Sequence, residues 1–222
     1  MYPNAFLFSY RGKKTLGKMK TEKEKLIYTV GHSTHALDYF RELLESQQIN
    51  SVVDVRQVAA STYNPQYNGK VLKDYLQQHQ IVYVHMGEEF GARSRDLALL
   101  DEEGRMDFDK VRQSKSFQNG VERLKKGLQK GYRIALMCSQ SDPFDCHRFA
   151  LIAYYLVHHG FTVKHILKDK TCIDNTVLER LLLEKYRKKL PQRDLFNHIG
   201  DQERLEVAYR LRGKSIAYKP FA

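Results

Sequence analysis

Two cysteines and a histidine lie close together in the segment Cys138-Ser-Gln-Ser-Asp-Pro-Phe-Asp-Cys-His-Arg148. The thiolate is the reactive form of cysteine, and a neighbouring histidine or arginine lowers the pKa of the thiol. Cys146 is followed directly by His147 and Arg148, so its position favours a lowered pKa, with Cys138 facing it across a loop. The pattern predicts thiol chemistry, with Cys138 and Cys146 as candidate nucleophiles and His147 as a candidate acid or base.

The cysteine pair has several uses that the sequence does not separate. Cys138 and Cys146 could be nucleophiles, a reversible redox pair, or metal ligands together with His147 and His32. The seven residues between them exceed the roughly two to four that separate ligands in structural zinc sites, so no metal ligand is assigned. A purely structural alternative makes Cys138 a small buried apolar residue. His32 follows an apolar run and is a further candidate acid or base.

Basic and hydroxyl side chains beside the same segments predict an anion site. Arg148 is expected in the first turn of a helix, where free backbone N–H groups favour anions. Arg56 and Ser33 each follow an apolar run, and we expect them to bind the same anion. Asp54 lies inside an apolar run, where an unpaired carboxylate is costly, so it is predicted to pair with Arg56 and orient it. The alternative for Arg148 is an ion pair with an acidic residue of the preceding loop.

Alternating apolar runs and helical patterns indicate how these residues are positioned. The chain is predicted to form an α/β domain with three layers: an open, mostly parallel five-stranded sheet, helices on both faces, and a C-terminal helical extension. Ser33 or Thr34 is predicted to cap the first helix. In such sheets, ligands bind at the carboxyl ends of the strands. The predicted strands are 26–30, 49–56, 81–86, 134–137 and 161–167, and the main helices are centred on 37–44, 71–76, 117–128, 149–156 and 177–182.

Three segments differ in composition. Residues 1–25 are basic and lack periodicity, which predicts a disordered leader. Residues 26–190 hold the α/β pattern, with a long charged connection at 87–113 that is typical of a lid or a mobile loop. Residues 191–222 carry one further helical pattern and are predicted to pack on the domain or to be exchanged between subunits. The oligomeric state and any cofactor remain unknown from the sequence.

The overall composition limits the functional classes. The net charge of +11 comes from 37 Lys and Arg against 26 Asp and Glu, and it is concentrated in the leader and around residues 185–189. Such charge is typical either of a solvated basic tail and helix end or of attraction to phosphate-rich partners such as RNA or DNA, and no nucleic-acid-binding motif is present to separate the two. Three cysteines do not suit a disulfide scaffold. No apolar run approaches the ~18 residues of a membrane span, so a cytoplasmic protein with no membrane partner is predicted.

Several of these segments together resemble a known family, the domain of unknown function 488 (DUF488). The resemblance covers roughly residues 27–170 and implies a compact α/β domain without an assigned activity. Members tend to carry a glutamate two residues after the first cysteine, where this chain has Gln140. The segments that carry the resemblance are Tyr28-Thr-Val-Gly-His-Ser33, Val52-Val-Asp-Val-Arg56, Asn64-Pro-Gln-Tyr-Asn68, Ile81-Val-Tyr-Val-His85, Phe90-Gly91 and Leu136-Met-Cys-Ser-Gln-Ser-Asp-Pro-Phe-Asp-Cys-His-Arg148.

A second resemblance, in architecture, is to rhodanese-type sulfurtransferases. Those enzymes also have a strand ending in Asp-Val-Arg, here Asp54-Val-Arg56, and a later strand ending in a cysteine, here Cys138. They share the turn Gly160-Phe-Thr-Val163 into the last strand, but their loop is shorter and lacks a second cysteine.

Two functions follow as hypotheses. The first is an enzyme with an anion-binding crevice and cysteine chemistry on a small molecule or nucleotide. The second is a non-catalytic module that binds nucleic acid or nucleotides through its basic surface. Strong salt dependence of binding and indifference to cysteine substitution would favour the second.

Overall fold

The apolar runs form the strands of one sheet in the computed structural model, which describes residues 25–192 and 200–220. The sheet has the order β3-β2-β4-β1-β5-β6. The first five strands are parallel, and β6 is antiparallel to β5. Apart from Lys25, the predicted leader lies outside the described residues. The strands are β1 (Leu26–Gly31), β2 (Ser51–Asp54), β3 (Val82–His85), β4 (Ile134–Cys138), β5 (Thr162–Ile166) and β6 (Cys172–Asp174).

Helices connect these strands, and one of them contains a wide π-helical turn. The π-helix spans Arg148–Ala153 and continues directly into an α-helix. The α-helices are α1 (Leu37–Glu45), α2 (Gly69–Gln78), α3 (Gly87–Phe90), α4 (Phe108–Gln113), α5 (Lys115–Gln129), α6 (Tyr154–His158), α7 (Asn175–Tyr186) and α8 (Asp201–Ile216).

Apolar side chains cover both faces of the sheet, which makes three layers and confirms the predicted fold class. On one face, α1 and α2 present residues at the three- and four-residue spacing of a helical stripe, namely Phe40, Leu43, Leu44, Leu72 and Leu76. The other face is covered by α5, the π-helix, α7 and α8, with Phe117, Val121, Leu124, Phe149, Leu178, Leu182, Ala208 and Tyr209.

Glycines end two of the helices where the sequence predicted them to stop. Gly131 follows α5 with φ 88° and Gly160 follows α6 with φ 76°. This left-handed backbone is readily adopted only by glycine, which ends a helix at low cost. Each glycine therefore returns the chain to the sheet at the start of β4 or β5.

The structure differs from the sequence prediction at several points. The predicted connection at 87–113 contains the helices α3 and α4, and apolar side chains such as Phe90 and Phe108 bury it against the core. The N-cap of α1 is Ala36, so the prediction of Ser33 or Thr34 was wrong. Ser33 instead has φ 49° and donates its N–H to the Ser139 carbonyl, which keeps it in the loop after β1. The short strand β6 adds a sixth strand that its three residues were too few to predict. Cys146 lies one residue before the N-cap His147, not inside the first helical turn.

The C-terminal extension contributes to the main core. Tyr209 of α8 contacts Phe149 of the π-helix, with ring centroids 5.1 Å apart, and Tyr154 of α6, with centroids 4.7 Å apart. Its hydroxyl donates to the Glu179 carboxylate of α7 at 3.1 Å. Residues 193–199 lie outside the described part of the chain. Within the described residues, no helix combines the length and apolarity needed to cross a bilayer.

Candidate functional site

The carboxyl ends of β1, β4 and β2 bring the predicted site residues to one edge of the sheet. These strands are neighbours, so the residues that follow them lie side by side. The N–H of His32 donates to the Cys138 carbonyl at 2.9 Å, and the N–H of Val55 donates to the Met137 carbonyl at 3.0 Å. The backbone ladder thus fixes the starting points of His32, Arg56 and Cys138.

Two thiols and one imidazole form a buried cluster at this edge. His147 Nδ1 lies 3.8 Å from Cys138 Sγ and 3.7 Å from Cys146 Sγ. Only 6% of Cys138 and 4% of Cys146 is exposed to solvent, and both thiols are free. One ring nitrogen therefore faces both sulfur atoms.

The backbone fixes the orientation of His147. Its Nε2 lies 3.3 Å from the Val55 carbonyl oxygen. Because a carbonyl can only accept, this contact places a proton on Nε2 and leaves Nδ1 to serve the thiols. The Nδ1 atom can accept a proton from a thiol, or carry one opposite a thiolate.

The surroundings shift the pKa values of the two cysteines in opposite directions. The pKa of Cys138 lies well below its ordinary value because the Cys146 thiol donates a hydrogen bond to it and because His147 and Arg148 are close, although burial opposes this. Burial and the adjacent Cys138 raise the pKa of Cys146. The sequence position had favoured Cys146 for the lowered pKa; the structure gives that role to Cys138.

The loop that joins the two cysteines is folded tightly against β1. Its 3-10 turn, Pro143–Asp145, is capped by Asp142, whose Oδ1 accepts the N–H of Phe144 at 2.8 Å. A Cβ atom on Gly31 would lie 2.0 Å from the Gln140 carbonyl oxygen. Only glycine permits this close approach. The loop can therefore fold back along β1, and Cys146 lies beside Cys138.

Arg148 lies inside the protein and binds this loop. Its side chain is completely buried, and it donates to the carbonyls of Gln140 at 2.5 Å and Ser141 at 2.8 Å. A surface ion pair with the acidic loop residues is therefore excluded. Direct binding of a ligand is not supported either, because both terminal nitrogens already bind the loop. Its Nε has no hydrogen-bond partner among the described residues.

A π-helix carries Arg148 and directly follows the cysteine–histidine pair. Wide turns of this kind are rare and are frequent at functional sites. The altered backbone is stabilised from outside, since Arg112 donates to the Ala150 carbonyl at 3.2 Å. The helical periodicity of the sequence predicted the helix but not its width.

An ion pair lies next to the thiol cluster. Arg56 Nε and Nη2 donate to the two carboxylate oxygens of Asp54 at 2.9 Å and 2.5 Å. Arg56 Nη2 also donates to the Tyr67 carbonyl at 2.8 Å, and Tyr83 donates its hydroxyl to Asp54 at 2.8 Å. Asp54 is fully buried and Arg56 is 8% exposed. The predicted pairing is therefore present, and it occupies most of the guanidinium.

His32 supports this ion pair. Its Nδ1 lies 2.8 Å from the Ser33 carbonyl oxygen, and its Nε2 lies 3.3 Å from Arg56 Nη1. Burial and the charge of Arg56 lower the pKa of His32 to about 4, so the imidazole is neutral at pH 7. Both nitrogens are occupied, which leaves neither free to exchange a proton with a ligand. Ser33 is half-buried beside it.

Three residues of this site lie in segments that resemble DUF488, but their contacts were not predicted. Tyr67 and Tyr83 stand among 14 tyrosines, and Val55 contributes only its carbonyl. The ring of Tyr67 stacks on His32 with centroids 4.0 Å apart. These contacts join residues that are distant in sequence, so local patterns do not reveal them.

The thiol cluster is also the group that could hold a metal ion. Within the described residues, the two sulfur atoms and Nδ1 of Cys138, Cys146 and His147 all lie within 4.8 Å of one another. Two thiolates and an imidazole suit zinc, with a fourth position to be filled by water or substrate. The spacing in sequence argued against such a site, but the folded loop brings the ligand atoms together.

Two surface cavities lie outside this cluster. One is lined by Tyr28, Asn50 and Arg133 and lies at the amino ends of the strands, away from the thiols. The other is formed by the loop after β2, including Ser61, Tyr63 and Asn68. It belongs to the carboxyl edge that also holds the cluster.

Comparison with known proteins identifies the family. Residues 36–155 match a family model described as "Domain of unknown function DUF488", which is more than half of the 222 residues. The matched range contains Arg56 and the thiol cluster, whereas His32 and α8 lie outside it. No curated protein and no solved structure matches the chain, so the resemblance to rhodanese-type sulfurtransferases stays a prediction. The chain belongs to the DUF488 family.

Proposed function

We propose that this protein is an enzyme in which the Cys138 thiolate attacks a small electrophilic substrate. The observation that carries the proposal is the orientation of His147, whose Nδ1 faces both sulfur atoms while its Nε2 is fixed by the Val55 carbonyl. A nucleophile, an adjacent base and a third group that orients the base are the arrangement of nucleophilic catalysis.

The proposed step can be written with these groups. The Cys138 sulfur forms a bond to the electrophilic atom of the substrate, and the bond to the leaving group breaks. Protonated His147 gives its Nδ1 proton to the leaving group. Water then attacks the bound group, the bond from that group to the Cys138 sulfur breaks, and neutral His147 takes the proton of the water at Nδ1, which restores the thiolate and the protonated imidazole. Cys146 keeps its proton in the resting state, since its pKa is raised, and its hydrogen bond stabilises the thiolate.

The substrate is proposed to be small and anionic, with a nucleotide as one candidate. The thiols are almost fully buried, so a bulky group could not approach the sulfur without movement of the loop. Among the described residues, no carboxylate is seen to pair with Arg148. Its charge favours the thiolate and a negative substrate through space, although its hydrogen bonds hold the loop.

The remaining site residues are assigned supporting roles. Arg56 Nη1 contacts His32 Nε2 at 3.3 Å and does not bind Asp54, so its second N–H is the candidate contact to a substrate anion together with Ser33. Asp54 and His32 orient Arg56, and proton transfer is assigned to His147 rather than to His32. A reducing, cytoplasmic location would keep both thiols free.

The test is the pH dependence of alkylation at each cysteine, followed by peptide mapping of the native protein. Cys138 is expected to react with iodoacetamide at a midpoint well below the ~8.5 of an unperturbed thiol. Cys172 is the internal control, because burial raises its pKa. Protection of both clustered thiols until the protein unfolds would refute the proposal. Zinc in the purified protein, with thiols exposed by a chelator, would assign the cluster to a metal instead.

A basic surface supports a second candidate, binding of nucleic acid. Lys185 and the turn Arg187–Lys189 at the end of α7 are exposed, and further lysines lie in the leader sequence. Binding through phosphates would weaken steeply as salt concentration rises. Affinity for RNA or DNA that is unchanged by Cys138→Ser would favour this function over thiol catalysis.

A further inference from the structure

A residue of the C-terminal helix reaches the loop of the thiol cluster. Arg212 of α8 donates from Nε to the Phe144 carbonyl at 3.0 Å and from Nη2 to the Asp145 carboxylate. Its guanidinium carbon lies 4.7 Å from the centroid of the Phe144 ring. Only 5% of Arg212 is exposed. Two of the three residues in the turn before Cys146 are thus held by one side chain.

The helix that carries Arg212 is itself anchored. Arg212 Nη1 donates to Ser215 Oγ at 3.2 Å, and Ser215 Oγ also accepts the hydroxyl of Tyr186 at 3.2 Å. Tyr209 of the same helix binds Glu179 of α7. Contacts within the C-terminal helices therefore hold the guanidinium in place independently of the loop. A side chain held in this way can fix the position of the turn that it binds.

Two buried arginines hold the loop from opposite ends. Arg148 binds the carbonyls of Gln140 and Ser141 at its beginning. Arg212 binds Phe144 and Asp145 at its end, directly before Cys146. Arg212 lies outside the residues 36–155 that match the family model.

We propose that Arg212 is a positioning residue of the thiol site. By fixing the turn Pro143–Asp145, it sets the place of Cys146 and His147 relative to Cys138. Without the guanidinium, the turn keeps its own bond from the Cys146 N–H to the Pro143 carbonyl but loses the hydrogen bonds and the ring contact that Arg212 makes with Phe144 and Asp145. This inference rests on the proposed thiol chemistry of Cys138.

The chain offers a matched control for Arg212. Arg210 lies in the same helix and carries the same charge, but 63% of its side chain is exposed and it pairs with Asp109 at 3.6 Å. Asp145 is half exposed, so Asp145→Asn removes the ion pair with little risk to folding. Arg212→Lys keeps the charge but cannot bind both the carbonyl and the carboxylate in a fork.

The experiment measures two properties of the full-length chain. The first is the rate of Cys138 alkylation by iodoacetamide across pH. In Arg212→Ala we expect the rate at pH 6.5 to fall about ten- to a hundredfold, because small displacements of reacting groups cost this much. The pH midpoint of Cys138 alkylation should rise in the same variant. Arg212→Lys should restore part of the rate, and Asp145→Asn should show a smaller loss of rate. Arg210→Ala should match the wild type.

The second property is hydrogen exchange of the amides in residues 139–147. Exchange there should accelerate in Arg212→Ala and Asp145→Asn and stay unchanged in Arg210→Ala. If wild-type Cys138 is unreactive, the proposed function fails, yet faster exchange would still show that Arg212 holds the turn. Wild-type rates and exchange in both Asp145→Asn and Arg212→Ala would overturn the positioning role. If Arg212→Ala does not fold, Asp145→Asn and Arg212→Lys decide it.

Discussion

At the scale of single residues, the protonation of the cluster depends on which group each thiol faces. Cys138 is the last residue of β4, so its backbone is held by the sheet, and its sulfur receives a hydrogen bond from Cys146. Cys146 follows a 3-10 turn and is shielded from water. Burial disfavours a thiolate at both positions. The hydrogen bond from Cys146 and the nearby positive charges outweigh burial at Cys138 and lower the pKa of its thiol.

The role of His147 can be tested by His147→Gln. The amide keeps a polar group near the Val55 carbonyl but cannot carry a positive charge opposite the Cys138 thiolate. We expect the midpoint pH of Cys138 alkylation to rise by about one unit, which corresponds to about 1.4 kcal/mol between the two protonation states. The measurement is the alkylation rate of Cys138 from pH 5 to pH 9.

His159→Gln is the matched control for that substitution. His159 lies at the exposed end of α6, where its Nδ1 contacts the Tyr155 carbonyl at 2.7 Å. Its replacement should leave Cys138 reactivity as in the wild type. An unchanged midpoint in His147→Gln would mean that His147 does not stabilise the thiolate.

At the scale of elements, the sequence predicted the parts with strong periodicity. The five parallel strands and the helices ended by Gly131 and Gly160 follow from apolar patterns and turn residues. The π-helix at Arg148–Ala153 was not predicted, because the same apolar spacing fits an α-helix. Its width depends on tertiary contacts, such as the bond from Arg112 to Ala150. The cap at Ala36 was not predicted, because the hydrogen bond from the Ser33 N–H to the Ser139 carbonyl keeps Ser33 in the loop after β1.

The approach of the loop to β1 makes Gly31 a critical position. In Gly31→Ala, the new methyl group would lie 2.0 Å from the Gln140 carbonyl oxygen, so the loop must move. We expect a loss of about 1–3 kcal/mol in the free energy of unfolding, as for other overpacked sites. Displacement of the loop should also slow alkylation of Cys138 at neutral pH. Denaturant unfolding and alkylation of the same sample measure both effects.

Gly200→Ala provides the comparison. Gly200 precedes α8, and a Cβ atom there would meet nothing within 4 Å. Its substitution should cost no more than about 1 kcal/mol, as for a changed helix cap, and should not alter Cys138. Equal effects of the two substitutions would show that the loop accommodates a side chain at Gly31.

At the scale of the whole molecule, the sequence predicted which edge of the sheet carries the site but not the hydrogen bonds that hold its residues in place. The carboxyl ends of β1, β2 and β4 were expected to gather Arg56, His32 and Cys138, and they do so. The burial of Arg148 and its bonds to Gln140 and Ser141 were not predicted, because they depend on how the loop folds back. The contact of Arg212 joins residues 67 positions apart, a distance at which periodicity carries no information.

A buried polar network connects the sheet to the two C-terminal helices. Thr29 of β1 lies 2.8 Å from His165 Nδ1, and His165 Nε2 lies 3.1 Å from Asn175 Oδ1 at the start of α7. Asn175 Nδ2 donates to the Tyr209 hydroxyl of α8 at 3.2 Å. Because the side-chain amide oxygen Oδ1 of Asn175 can only accept, His165 carries its proton on Nε2. Its Nδ1 therefore accepts a hydrogen bond from the Thr29 hydroxyl. A neutral imidazole therefore satisfies every partner in this network.

This network predicts a pH-dependent stability. Burial, with a contribution from the charge of Arg148, lowers the pKa of His165 to about 3, against about 6.5 in an unfolded chain. As pH falls below about 6.5, His165 binds a proton in the unfolded state but stays neutral in the folded state. The free energy of unfolding therefore decreases on acidification. Between pH 8 and pH 5, His165 alone should cost about 2 kcal/mol, because each pH unit below the unfolded pKa contributes about 1.4 kcal/mol.

The contribution of His165 is isolated by comparison with His165→Gln. Urea unfolding at pH 8 and pH 5 should show the stability advantage of the wild type over the variant shrinking by about 2 kcal/mol at the lower pH. His79→Gln, at the exposed end of α2, should keep a constant difference from the wild type. His32 adds a similar loss to all three proteins and so cancels in the comparison. Parallel pH profiles for wild type and His165→Gln would mean that the histidine accepts a proton within the fold, and that the network between sheet and C-terminal helices rearranges to hold the charge.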